Sequence, residues 1–193
     1  VNLKPYGDTA LLLDCESLDE AQRWFAALHD EAEVVLGARS VLLRGDPAAL
    51  RSLVGRTSPV ATAASLDGPQ VEITVAYDGA DLDDVARLTG LTPAEVVAAH
   101  TGTPWTVAFG GFAPGFSYLV GGDPRLQVPR RDSPRNRVPG GAVGLAGEFS
   151  GVYPRESPGG WQLIGHTGLA MWDTAREPPA LLRAGMTVRF VAA

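Results

Sequence analysis

Cys15 is the only cysteine in 193 residues, so no disulfide can close within the chain and no cysteine-based zinc site can form. It ends the apolar run of "TALLLDC", a place that suits a small buried thiol. His29, His100 and His166 are scattered and make neither H-x-H nor H-E-x-x-H, so no metal site is expected. Lysine occurs once, at Lys4, and the net charge is −6. An acidic chain without a dense basic stripe is poorly suited to nucleic-acid phosphates. Apolar runs such as "ALLL" (Ala10–Leu13) fall far short of the ~20 residues of a membrane helix. The start "VNLKPYGDT" has no apolar stretch behind a basic tip, so no secretory signal is read and a cytoplasmic location is expected.

Common catalytic signatures are missing too. Without G-x-x-x-x-G-K-[ST] there is no phosphate loop for independent ATP hydrolysis. "GFSYL" is not a G-x-S-x-G elbow, and "GGAVGLAG" spaces its glycines unlike a dinucleotide fingerprint.

What is present divides into two parts. Residues 1–100 hold 16 acids against 7 bases, whereas residues 101–193 hold 6 acids against 9 arginines, which hints at a local anion site in the second half. In the first part, "TALLLDC" and "SVLLRG" read as strands. Ser17 and Glu20 form a capping box before a helix expected to run to about Ala32, with Leu18, Ala21, Trp24, Phe25 and Leu28 on its core stripe. Asp46 N-caps a second helix with Pro47 in its first turn. This order suggests a small sheet with helices on one face.

Arg56–Gln70 is rich in small and turn-forming residues, which places a domain boundary there. Beyond it come the strand "VEITVAYD", the helix "DLDDVARLTG" and the helix "TPAEVVAAHTG" with a Thr92/Glu95 capping box. After Gly102 the helix signals stop. "WTVAFGG", "AVGLAG", "WQLIGHTG", "LAMWDT" and "MTVRFVAA" are short strands between Gly/Pro turns, the signature of a barrel or sandwich.

Between these strands lies an unusual stretch, Phe109–Gly141, with five arginines among many glycines and prolines. Residues 110–160 carry 12 of the 23 glycines and 7 of the 15 prolines, yet also Phe112, Phe116, Tyr118, Phe149 and Tyr153. Disordered segments lack such aromatic anchors, so an ordered, loop-rich surface is expected. Arg131, Arg135 and Arg137 fall within seven residues, braced by Pro129, Pro134 and Pro139. Guanidinium forks on a stiff loop suit a carboxylate or phosphate; a solvated basic loop, or pairing with acids of the first domain, is the alternative. Arg137, flanked by Val138 and Pro139, is expected to be anchored near the barrel, with Arg130 and Arg131 freer. Glu156 and His166 could move protons, but each stands alone in sequence, so structural roles are expected of them.

The strings P-G-F-x-Y-L, V-P-x-G-x-V-G-x-A-G and Y-P-x-x-S-P-G-G-W, with "YGDTALLL" and "REPPALLRAGMTVRFV", closely resemble the KipI family. Its members include the B subunit of bacterial ATP-dependent 5-oxoprolinase, also known as allophanate hydrolase subunit 1. A related stretch lies in the carboxyltransferase domain of urea carboxylase. The resemblance implies an α+β N-terminal domain (a ferredoxin-like sandwich) over residues 1–62 and a cyclophilin-like β-barrel over residues 63–193. It also implies a hydrolase subunit, inactive alone, that acts on a small carboxylated substrate with a KipA-like C subunit and an A subunit. ATP is then used by the assembled complex and no cofactor is bound by this chain alone. In that reading Arg131, Arg135, Arg137 and His166 bind the substrate anion, and Phe112, Pro114, Phe116, Tyr118 and Tyr153 face the partner. Two other readings are a urea or allophanate carboxyltransferase half with a biotin-dependent partner, and a KipI-like inhibitor of a histidine kinase. Prolyl isomerase activity would rest on fold analogy alone. Family members often carry glutamine at Phe149 and arginine at His166.

Overall fold

The computed structural model describes residues 1–61 and 69–193, and the chain divides into two units, Val1–Ser65 and Leu66–Ala193. The boundary expected between residues 62 and 63 lies outside the described residues.

The first unit is a four-stranded antiparallel sheet in the order β1-β2-β4-β3, formed by β1 (Asn2–Pro5), β2 (Ala10–Asp14), β3 (Glu33–Leu36) and β4 (Ser40–Arg44). Leu11, Leu13, Val41 and Leu43 alternate onto one fully buried face. Helices α1 (Leu18–Leu28) and α2 (Pro47–Arg56) supply Ala21, Trp24, Leu28, Leu50 and Leu53 to the core. The Ser17 hydroxyl accepts the Glu20 N–H at 3.1 Å, but the Glu20 carboxylate accepts from the Glu16 N–H, not from Ser17, so the expected capping box is half made. The helix also stops at Leu28 and not near Ala32. The Glu31 and Ala32 N–H groups both turn back onto the Leu28 carbonyl.

The second unit starts with β5 (Gln70–Val75), α3 (Leu82–Thr89) and α4 (Pro93–Gly102). The strands that follow are β6 (Trp105–Gly110), β7 (Ser117–Val120), β8 (Arg135–Val138), β9 (Ala142–Ala146), β10 (Phe149–Val152), β11 (Ser157–Gly159), β12 (Gln162–His166) and β13 (Thr187–Ala192). Seven form one sheet in the order β12-β9-β10-β7-β6-β13-β5, in which only β13 and β5 run parallel. This sheet is barrel-like and nearly closed: just past β5, Ala76 exchanges two 2.9 Å backbone hydrogen bonds with His166 at the end of β12. The Thr92/Glu95 capping box has both arms, and Gly90 closes α3 in the left-handed conformation. "LAMWDT" is not a strand. Only a single bridge joins Trp172 to Ala180, because the Asp173 carboxylate accepts the Ala175 N–H and turns the chain at once.

Strand β9 explains how the Gly/Pro-rich stretch is held. All five of its residues are buried. Val143 and Leu145 point into the barrel core with Ile73, Leu119, Ile164 and Phe190, whereas Ala142 and Ala146 pack outward against Phe116, Val138, Tyr153 and Trp161. The two-stranded ribbon of β8 and β11 therefore lies as a second layer over small residues on the outer barrel face. Gly144 is part of that fit, since a Cβ there would lie 3.1 Å from that of Trp161. The ordered surface expected from the aromatics is what these residues build.

Candidate functional site

Asp81, which immediately precedes α3, is 1% exposed and makes no side-chain cap for its own helix. Its carboxylate is turned to the arginine-rich arm instead. Oδ1 accepts from Arg131 Nη1 and Arg135 Nη2, each at 2.6 Å, and Oδ2 accepts from the Leu163 backbone N–H at 2.7 Å. Burial alone would push this carboxyl up. The Arg135 hydrogen bond, the Leu163 N–H and the charges of Arg135 and Arg131 outweigh burial and hold it below the usual carboxylate range. The arm is tied further by Arg131 N–H to Gly160 O at 2.8 Å and Gln162 Nε2 to Pro129 O at 3.2 Å. Arg131 Nε, Arg135 Nη1 and Gln162 Oε1 are buried without a hydrogen-bond partner.

The remaining expected anion ligands lie elsewhere. Arg137 is not anchored against the barrel: its side chain is 77% exposed and pairs with Glu156 at 2.7 Å. His166 is exposed and its Nδ1 lies 2.7 Å from Asp78 Oδ1. The acids that pair with these arginines belong to the second unit and not to the first; Glu156 sits in a surface ion pair and His166 in a surface hydrogen bond to Asp78.

Arg130 behaves differently from its neighbour. It is exposed, and among the described residues it makes no ion pair. It stands at a cleft of about 130 Å³ walled by Phe112, Phe116, Tyr118, Tyr153 and Trp161, with Pro158–Gly160 completing the lining. The rings meet edge to face: Phe116 lies 5.1 Å from Tyr118, 5.4 Å from Tyr153 and 5.3 Å from Trp161. Burial raises the pKa of both phenols, and the Arg130 charge opposes the rise at each. Arg130 also borders a wider, open hollow on the other side of the arm, with Asp84, Arg87 and Asp132.

Of the residues expected to face a partner, Phe112 and Pro114 are exposed, Tyr118 is half-buried, and Phe116 and Tyr153 are buried. Phe112 has φ of +66°, rare for a bulky side chain, and this turn sets its ring 5.3 Å from Phe116 at the cleft. Phe149, where relatives of the resembling family often have glutamine, extends the ring cluster, 5.4 Å from Tyr118. Sequence reasoning missed Asp81 and Arg130 as site residues. The "PRRD" doublet marks two candidate cations, but which of them is committed is decided by Asp81, fifty residues from Arg131. Among the described residues no group of three or more His, Cys, Asp or Glu is placed to hold a metal.

The family model for the carboxyltransferase domain, subdomain C and D (CT_C_D), matches residues 1–182. The chain belongs to this carboxyltransferase-domain family. It is 50% identical over 124 residues to the B subunit of 5-oxoprolinase from Bacillus subtilis, covering 63% of this chain and 52% of that protein. It is 40% identical over 169 residues to the corresponding 5-oxoprolinase B subunit from Haemophilus influenzae, covering 84% and 79%. The chain thus spans little more than half the length of the B. subtilis relative. The crystal structure of TTHA0988 matches with a TM-score of 0.78 at 37% identity, over 95% of this chain and 40% of that one. The Kluyveromyces lactis urea amidolyase matches with a TM-score of 0.80 at 19% identity, over 99% of this chain and 15% of that one, a likeness of fold. No helix among the described residues is long and apolar enough to cross a membrane.

Proposed function

We propose that the chain is the B-type subunit of an ATP-dependent 5-oxoprolinase-type complex, a cytoplasmic hydrolase that opens a small carboxylated lactam with a KipA-like C subunit and an A subunit. The observation that carries this reading is the 40–50% identity to relatives named as the B subunit of 5-oxoprolinase. The chain's chemistry agrees with a shared rather than an autonomous activity. In this reading ATP is used by the assembled complex and no cofactor is held by this chain alone; the sequence carries no G-x-x-x-x-G-K-[ST] of its own.

In the same reading the first unit is a ferredoxin-like sandwich. Strands β2 and β3 flank β4 around the α1 crossover, and β1 fills the fourth place. The nearly closed second sheet is the cyclophilin-like barrel. Exposed Phe112 and Pro114 face the partner. Of the arginines first considered for the substrate anion, Arg131 and Arg135 could serve only by releasing a buried carboxylate, which is costly. Arg137 and His166 would have to leave surface pairs, which is cheap, but they lie in the open.

Co-purification and ATP hydrolysis test the subunit reading. A tagged chain should retain a KipA-like chain through gel filtration. 5-Oxoproline should stimulate ATP hydrolysis only once the A-type subunit is added. ATP hydrolysis by this chain alone would overturn the reading.

A further inference from the structure

We infer that the cleft between Trp161, Tyr118, Tyr153 and the Phe112 loop binds a small cyclic carboxylate, with Arg130 holding the carboxylate group. The inference rests on the subunit reading for the identity of its ligand, a lactam acid, and on the cleft's own geometry for everything else.

The first argument is charge. Arg131 and Arg135 neutralise Asp81, Arg137 neutralises Glu156, and Arg125 forks onto Asp123. Arg130 is the arginine of this arm that no acid among the described residues engages. A guanidinium in that state at a pocket mouth is free to take a carboxylate in its bidentate fork.

Shape is the second argument. The space of about 130 Å³ admits one small ring and little else. Its walls are aromatic faces and edges, which suit a small ring, and the half-buried Tyr118 adds a phenol that can hydrogen-bond an amide. The phenols stay protonated, because burial raises both. Both are neutral and do not repel an anion.

Preorganisation is the third. Pro129 and Arg131, the two residues that flank Arg130, are fixed by Gln162 and by Gly160 with Asp81. Phe112, held at positive φ, lines the same cleft, and backbone strain of this kind collects at ligand sites. Gly159 lets the ribbon close onto the Tyr153 wall, since a Cβ there would sit 2.3 Å from the Tyr153 hydroxyl.

Titration calorimetry of the 193-residue chain with 5-oxoproline, and with its carboxamide in which the carboxylate is replaced, tests the inference. The Trp161 indole N–H resonance, identified by Trp161→Phe, reports the place of binding. The acid should bind saturably, shift that resonance, and bind roughly tenfold or more tighter than the carboxamide. Arg130→Gln should abolish this preference with an unchanged melting temperature, as expected for an exposed side chain, and Arg130→Lys should restore little of it. Three results would each overturn the cleft: no binding by the wild type, equal affinity for acid and carboxamide, or a preference that survives Arg130→Gln. None of them bears on whether ATP-dependent activity appears when the subunits are mixed, so the subunit reading stands or falls separately.

Discussion

Arg130 and Arg131 are adjacent in the chain, yet one is free at a pocket and the other is committed to a buried acid. Asp81 is the cause of the difference, because a 1% exposed carboxylate must be paired. Asp81→Asn should therefore lower stability by about 3 kcal/mol, as breaking one side of a buried charge network does. Arg137→Ala, which removes only a surface pair, should stay within about 0.5 kcal/mol of wild type. Urea unfolding of the two variants side by side checks the contrast; equal effects would contradict it. A second buried group sets the acid response. His100 is fully buried between the Tyr77 hydroxyl (2.8 Å) and the Ser150 hydroxyl (2.9 Å), and burial pushes its pKa from 6.5 down to about 3. Between those values the unfolded chain binds a proton that the folded chain refuses, so stability falls as pH falls. The expected slope is about 1.4 kcal/mol per pH unit below 6.5. Asp81, whose pKa is depressed, adds its own loss only below about 3.8, where the unfolded carboxyl protonates. Unfolding free energies at pH 7 and pH 5 should differ in the wild type, and much less in His100→Gln.

At the level of elements, β2, β4, β5, β6, β9, β12 and β13 were legible in the sequence because each carries a buried apolar run or alternation. β1, β3, β8 and β11 were not, since their residues are mostly exposed or half-buried, and β7 and β10 were not, since each is only four residues long with a serine or a serine and a glycine in a buried or half-buried run. The same limit governs the site. The aromatics of Phe109–Gly141 and beyond announced an ordered surface, and the arginine cluster announced a cationic one. Which arginine stays free depends on Asp81, some fifty residues away in sequence, and only the fold brings it there. The β8–β11 ribbon also exposes a sensitive point. Gly159→Ala would drive a methyl into the Tyr153 ring and hydroxyl and should cost about 1–3 kcal/mol by overpacking. It should weaken 5-oxoproline binding as well, since Tyr153 walls the cleft. Wild-type stability in this variant, by thermal unfolding, would show that the ribbon yields where the packing says it cannot.

For the whole molecule, the central claim is the proposed one: that this chain, similar to relatives named as 5-oxoprolinase B subunits, works as one subunit of a larger complex. Glutamate release from 5-oxoproline and ATP, measured with this chain, a KipA-like chain and an A-type chain together and in every subset, tests that claim most directly. The account predicts turnover only in the complete mixture. It also predicts that Arg130→Gln in the complete mixture assembles normally and raises the KM for 5-oxoproline roughly tenfold or more. Turnover by this chain alone would contradict the subunit reading, and an unchanged KM in the Arg130→Gln complex would contradict the role assigned to the cleft.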